Sequence, residues 1–153
     1  MARGIDPDSF GFLVNDVARL VRAALDRRIA VSGLGLTPGE ARVLAHAARL
    51  GPVRQSALAE SALIEPMTLS TYVDGLAGKA LVERAPDPVD RRARLVRLTP
   101  KADATLDQVG AIAAEIRLQA ASDIDAADWE LLKDLLKAVR KNLEKLDRET
   151  DIG

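Results

Sequence analysis

The sequence predicts a mainly α chain with one small β-hairpin, an α+β fold whose core is carried by helices. Three observations predict it. Apolar residues recur at helical spacing over long stretches near both ends, from Phe10 to Leu25 and from Trp129 to Leu146. Aromatic residues make up only 3 % of the chain while Ala and Leu are plentiful, which favours helices over a β-sandwich. Between two short apolar-basic runs, Pro86, Asp87, Pro88 and Asp90 supply a cluster of turn formers.

The elements follow in order. Residues 8–31 read as an amphipathic helix with a stripe of Phe10, Leu13, Val14, Val17, Leu20, Val21, Ala24 and Leu25, capped by Asp8 or Ser9 and broken by Ser32-Gly33-Leu34-Gly35. Thr37-Pro38-Gly39-Glu40 starts the next helix: Thr37 caps, Pro38 suits the first helical position and Glu40 completes a capping box. That helix runs to about Leu50, and Gly51-Pro52 ends it. A short helix from Gln55 to about Ala62 turns Leu58 and Ala59 inward, and Ile64-Glu65-Pro66 leads into another. In this fourth helix Leu69, Val73, Leu76 and Ala77 make the buried stripe, and Thr68, Thr71, Tyr72 and Gly75 are expected on the opposite face. Leu81–Ala85 and Ala93–Leu98 are the hairpin strands, although neither alternates cleanly. Thr99-Pro100 repeats the cap-plus-proline signal and starts a helix to about Ser122. Asp125-Ala126-Ala127-Asp128 opens the last helix, with Trp129, Leu132, Leu135, Leu136, Val139, Leu143 and Leu146 as its stripe.

Two short helices, a basic hairpin and a long helix in this order describe a winged helix-turn-helix. The charge distribution agrees with that reading. The formal net charge is only −1, yet residues 79–101 gather Lys79, Arg84, Arg91, Arg92, Arg94, Arg97 and Lys101 against Glu83, Asp87 and Asp90. Positive charge is thus focused on the hairpin, where it can meet phosphates, and the rest of the chain is acidic. The small and polar outer face expected of the fourth helix suits a major groove.

The 153 residues suit one domain, 1–153, with residues 36–99 as the DNA-binding lobe and residues 8–31 and 100–149 as dimerisation helices. The terminal helices carry broader apolar faces than so small a central lobe can cover, so a homodimer is expected. Its two-fold symmetry would set two recognition helices about 34–36 Å apart, one turn of B-DNA. The absence of cysteine removes disulfides, thiolate metal sites and a thiol redox switch. The one histidine, His46, argues against a histidine-rich metal centre and reads as a helix residue with a local hydrogen bond. No metal or cofactor is expected. Ser, Asp and His46 form no activated-nucleophile arrangement, and there is no Walker loop or dinucleotide fingerprint, so an enzyme is not expected. No signal peptide and no bilayer-spanning apolar run are seen, which implies a cytoplasmic protein without a membrane partner.

In sum of motifs the chain resembles the MarR family of bacterial transcription regulators over nearly its whole length. The resemblance rests on Asp87-x-x-Asp90-Arg91-Arg92 followed by Leu95-Val96-x-Leu98-Thr99, on Leu36-Thr37-Pro38, and on Leu69-Ser70-x-x-Val73-Asp74-x-Leu76 followed by Leu81-Val82-Glu83-Arg84. It implies an obligate homodimer bound to a pseudo-palindromic double-stranded operator, usually as a repressor, and nucleoid-associated when bound. Arg92 would reach into the minor groove, where a guanidinium favours the negative potential, with Asp90 orienting it. Arg91 and Arg94 would lie near phosphates, and Gln55 and Ser56 would offer backbone amides to another phosphate. Thr68, Ser70, Thr71 and Tyr72 would face base edges or the backbone. A small aromatic or anionic effector is also implied, with Phe10, Phe12 and His46 as candidate contacts.

Two departures stand out. Family members often carry arginine at the positions of Thr71 and Gly75, whereas no Lys or Arg occurs here between Gln55 and Gly78. Affinity is therefore expected to lean on the wing. The family also favours Gly at Ala80, so either a left-handed alanine is strained here by roughly 1–2 kcal/mol, or the helix ends nearer Gly78. The rival to a DNA regulator is a helical dimeric protein-interaction module that does not bind DNA, its arginine cluster a solvated turn.

Overall fold

A computed structural model describes residues 4–151. The helices are α1 (Phe10–Val31), α2 (Pro38–Leu50), α3 (Gln55–Ala62), α4 (Pro66–Gly78), α5 (Ala102–Ala120) and α6 (Ala126–Thr150). The strands are β1 (Val53–Arg54), β2 (Val82–Pro86) and β3 (Arg94–Leu98). They form an antiparallel sheet in the order β1-β3-β2, with Val53 opposite Val96 and Arg84 opposite Val96 on the other side. The sequence predicts only the β2–β3 hairpin. A two-residue strand such as β1 has no periodicity to read and is fixed by its pairing with β3.

The chain divides into two compact units, Met1–Ile116 and Arg117–Gly153. The core of the first is built from Leu44, Leu58, Leu69, Val73, Leu76 and Val96, all fully buried. Each such side chain contributes roughly 1.5–3 kcal/mol by leaving water. Of the inward positions expected of α3 and α4, Leu58, Ala59, Leu69, Val73 and Leu76 are buried and Ala77 is half-buried against the same core. Ile29 near the end of α1 and Ala102 and Val109 of α5 join the same core. In the second unit, α6 is amphipathic and buries no residue: Leu132, Leu135, Leu136, Leu143 and Leu146 are exposed. Among the described residues no helix is long and apolar enough to cross a membrane.

Helix ends follow the local chemistry in most places. Thr37 and Glu40 form the expected capping box: the Glu40 amide donates to Thr37 Oγ1 (3.1 Å) and the Thr37 amide to Glu40 Oε2 (3.0 Å). Asp125 caps α6 by accepting the Ala127 amide at 2.8 Å. Two expected caps are corrected. Ser9 holds the N-cap position of α1, but neither it nor Asp8 makes a side-chain cap; Asp6 instead accepts the Asp8 amide at 3.0 Å. Thr99 does not cap α5, because its hydroxyl donates to the Ala80 carbonyl at 2.6 Å, and the helix starts at Ala102.

That bond fixes the end of α4. The helix stops at Gly78, and Ala80 takes φ +58°. The Leu81 amide donates to Leu76 O (3.0 Å) and the Ala80 amide to Ala77 O (2.9 Å). This is a Schellman ending with alanine where glycine is usual. Both expected alternatives therefore hold together: the helix ends at Gly78, and the left-handed strain sits on Ala80.

Candidate nucleic-acid interface

The hairpin loop is organised by a residue that the sequence marks only as part of a motif. Asp87 is 7 % exposed, and its Oδ1 accepts the amides of Val89 (2.8 Å) and Asp90 (3.3 Å). Its Oδ2 accepts from Arg54 Nε (3.0 Å) and lies 2.9 Å from Arg54 Nη2. The backbone closes the same turn, with the Asp87 amide on Ala93 O and the Ala93 amide on Asp90 O. The Val89 amide, followed by the Arg54 guanidinium, holds the Asp87 carboxyl below its ordinary range, since both stabilise the charged form. Arg54 also approaches Asp90 Oδ2 at 3.8 Å. Arg54 is missing from the residues that the sequence singles out, because it lies 33 positions from Asp87 on a strand too short to predict.

Asp90 accepts the backbone amide of Arg92 at 3.1 Å. It therefore shapes the loop on which Arg92 rides. Arg91, Arg92 and Arg94 are exposed, and among the described residues their guanidiniums enter no ion pair. The other hairpin cations are engaged: Arg97 pairs with Glu83 (2.6 Å) and Arg84 with Asp74 (2.6 Å), which also brings Arg84 Nη2 to 3.4 Å from Gln55 Oε1. Arg84 thereby neutralises Asp74.

At α3, Arg54 occupies the N-cap position without a side-chain cap, so the first-turn amides at Gln55 and Ser56 keep no side-chain acceptor. In α4, Thr68 and Thr71 are exposed and Ser70 is half-buried. Tyr72 and Gly75 are not on the outer face expected of them. A Cβ on Gly39 of α2 would lie 2.1 Å from Tyr72 Cζ, so the phenol packs flat against that glycine. A Cβ on Gly75 would lie 2.2 Å from Glu40 Oε1. Glu40 is buried and cannot step aside, being held by its capping box and by Lys79. Tyr72, three residues after Leu69 and four before Leu76, borders the buried stripe, and Gly75 lies away from it; the close crossing of α2 over α4 takes both. The same contact accounts for the missing arginine at position 75, which has no room for a side chain.

The effector candidates lie on different elements. Phe10 and Phe12 are exposed in the first turn of α1. His46 of α2 shares a 2.9 Å hydrogen bond with Ser61 Oγ of α3, a tertiary bond rather than a local one. Burial, followed by the nearby charges of Arg49, Arg42 and Arg22, lowers its pKa from 6.5.

A short helix pair with a buried inner face, followed by a basic hairpin, defines the class of winged helix-turn-helix proteins. Comparison with known proteins places the chain within that class. The MarR family model matches residues 36–93. The chain is 38 % identical to the transcriptional regulator PA3341, covering 90 % of this chain and 99 % of that one with a TM-score of 0.74. It is 25 % identical to wild-type apo MarR from E. coli, covering 86 % and 96 % of the two chains, TM-score 0.72. It is 26 % identical to CouR from Rhodococcus jostii RHA1, whose structure holds p-coumaroyl-CoA, covering 86 % and 92 %, TM-score 0.68. The chain belongs to the MarR family, which consists of transcriptional regulators and not of enzymes.

Proposed function

We propose that this protein is a ligand-responsive repressor that binds a pseudo-palindromic DNA operator as a homodimer in the cytoplasm. The observation that carries the reading is the wing: Arg91 and Arg92 on the loop that Asp87 and Arg54 brace, and Arg94 at the start of β3, are exposed and enter no ion pair among the described residues. Arg92 enters the minor groove, and Arg91 and Arg94 take phosphates. The uncapped amides at Gln55 and Ser56 take a further phosphate. Thr68, Ser70 and Thr71 face the major groove, and Tyr72 acts from behind by setting the angle of α4 on α2.

The homodimer is supported by apolar surface that a lone chain leaves in water. In α1, Phe10, Leu13, Val17 and Leu20 are exposed, and in α6 Leu132, Leu135, Leu136 and Leu143 are exposed. Faces of this kind belong in an interface. Effector control is supported by the family and by the ligand in CouR. A small aromatic or anionic effector that prefers a lobe spacing unfit for the operator weakens DNA binding by its differential affinity. Phe10 and Phe12 offer aromatic surface and His46 a polar group for such a molecule, each from its own element.

The test is fluorescence anisotropy with a labelled duplex from the DNA flanking the gene, at two salt concentrations, with light scattering for the oligomeric state. Tight binding by a dimer that weakens steeply with salt is the expected result. A stable dimer that binds neither this duplex nor any from a randomised pool overturns the proposal in favour of a protein-interaction module.

A further inference from the structure

The polar groups on the exposed side of α4 are already used within the chain. The Thr68 amide and hydroxyl both donate to Glu65 Oε2, at 3.2 and 3.4 Å. The Thr71 hydroxyl donates to the Met67 carbonyl at 3.2 Å. Asp74 is occupied by Arg84, and Tyr72 and Gly75 are turned to α2. No Lys or Arg lies between Gln55 and Gly78 to read guanine. What the first turns of α4 do offer is apolar. Met67 is 79 % exposed at the second helical position, with no part in the core, and the γ-methyls of Thr68 and Thr71 stand on the same exposed stretch.

We infer that Met67, flanked by the methyl groups of Thr68 and Thr71, reads thymine C5-methyl groups in the major groove and is the chief specificity-determining residue of α4. The inference rests on the DNA-binding reading above and deepens it. Among the major-groove edges of the bases only thymine presents a methyl group, and threonine methyls are natural partners for it. A thioether on an unbranched chain is polarizable and flexible enough to follow a methyl whose height varies with the base step. Contact of this kind needs no cationic donor, which is what α4 lacks. It gives discrimination by burial of apolar surface, about fourfold in affinity per methyl removed from water.

The test uses the full-length protein and a duplex selected by it from a randomised pool. The selected duplex is remade with deoxyuridine in place of thymine, which keeps every base-pair hydrogen bond and removes only the methyl. Wild type is expected to bind the deoxyuridine duplex about fourfold more weakly for each contacted position, and Met67→Ala to bind both duplexes with one weaker affinity. Alanine is a good helix former at this exposed site, so equal melting temperatures confirm an intact fold. Equal binding of the two duplexes by wild type, or an unchanged thymine preference in Met67→Ala, overturns the inference while leaving DNA binding in place. Failure to recover any bound duplex overturns the DNA-binding reading and this one with it.

Discussion

The wing and α4 treat their polar groups in opposite ways. In the wing, the carboxylates turn inward: Asp87 and Asp90 bind backbone amides and Arg54, and Arg91, Arg92 and Arg94 are left outward and unpaired. In α4 the hydroxyls of Thr68 and Thr71 fold back onto the chain, and the one carboxylate on the exposed face is neutralised by Arg84. A loop that must offer charge needs its own acidic scaffold, because guanidiniums held near one another repel. A helix that offers surface rather than charge can satisfy itself locally. On the proposed reading the difference divides the work: affinity falls to the wing and base preference to α4.

The largest effect that sharpens this comparison is on the wing tip. Arg92→Ala is expected to lower operator affinity about tenfold to hundredfold without changing the melting temperature, since its guanidinium is exposed and unpaired. Anisotropy titration measures it, and a loss smaller than that caused by Met67→Ala would break the assignment of affinity to the wing. Next comes Asp87→Ala, which removes no outward charge yet is expected to cost about tenfold in affinity by releasing the loop, on the reasoning that a misplaced contact forfeits much of its worth. The effect of Arg54→Ala should overlap with it rather than add, because the two share one clamp. The Asp87 carboxyl titrates below its ordinary 3.8 in the folded chain. Its stabilising contribution is thus fully present above that value and is lost as pH falls through the lower folded one. Acid unfolding of Asp87→Asn should lack this component.

A smaller effect concerns the hinge between the two regions. Ala80→Gly is expected to raise stability by about 1 kcal/mol in urea unfolding, by relieving the left-handed alanine, and to leave affinity unchanged. The smallest is a slope. Burial and the neighbouring arginines disfavour the charged form of His46, so as pH falls through 6.5 the unfolded chain takes up a proton first and stability declines until the lower folded value is reached. His46→Gln, which retains a partner for Ser61, should flatten stability against pH in that window and alter neither wing nor α4.

Much of this was legible in the sequence where the physics is local. Thr37 and Glu40 are three residues apart, and their reciprocal bonds need no knowledge of the fold. The inward positions of α3 and α4 follow from periodicity and the turn at Asp87 from turn chemistry, and the hairpin strands, which do not alternate cleanly, are marked by that turn between them. What escaped is what distant segments decide. β1 exists only because β3 passes beside it. Arg54 matters through Asp87 and Asp90, and Arg84 through Asp74 and Gln55. On an isolated helical wheel Gly75 lies on the outer side and Tyr72 at the edge of the buried stripe, and α2 crosses close enough to take both. Thr99 carries a cap signal that a better partner, the Ala80 carbonyl, overrides.

The clamp between Arg54 and Asp87 also limits how the wing can be exchanged. The hairpin is continuous in sequence from Val82 to Leu98, which invites treating it as a cassette to be grafted between relatives. Its turn, however, is closed by a guanidinium from outside that stretch, at the threshold of α3. A transplanted wing would keep its shape only in a recipient with arginine at position 54, so in chimeras the unit of inheritance is the hairpin together with that one distant residue.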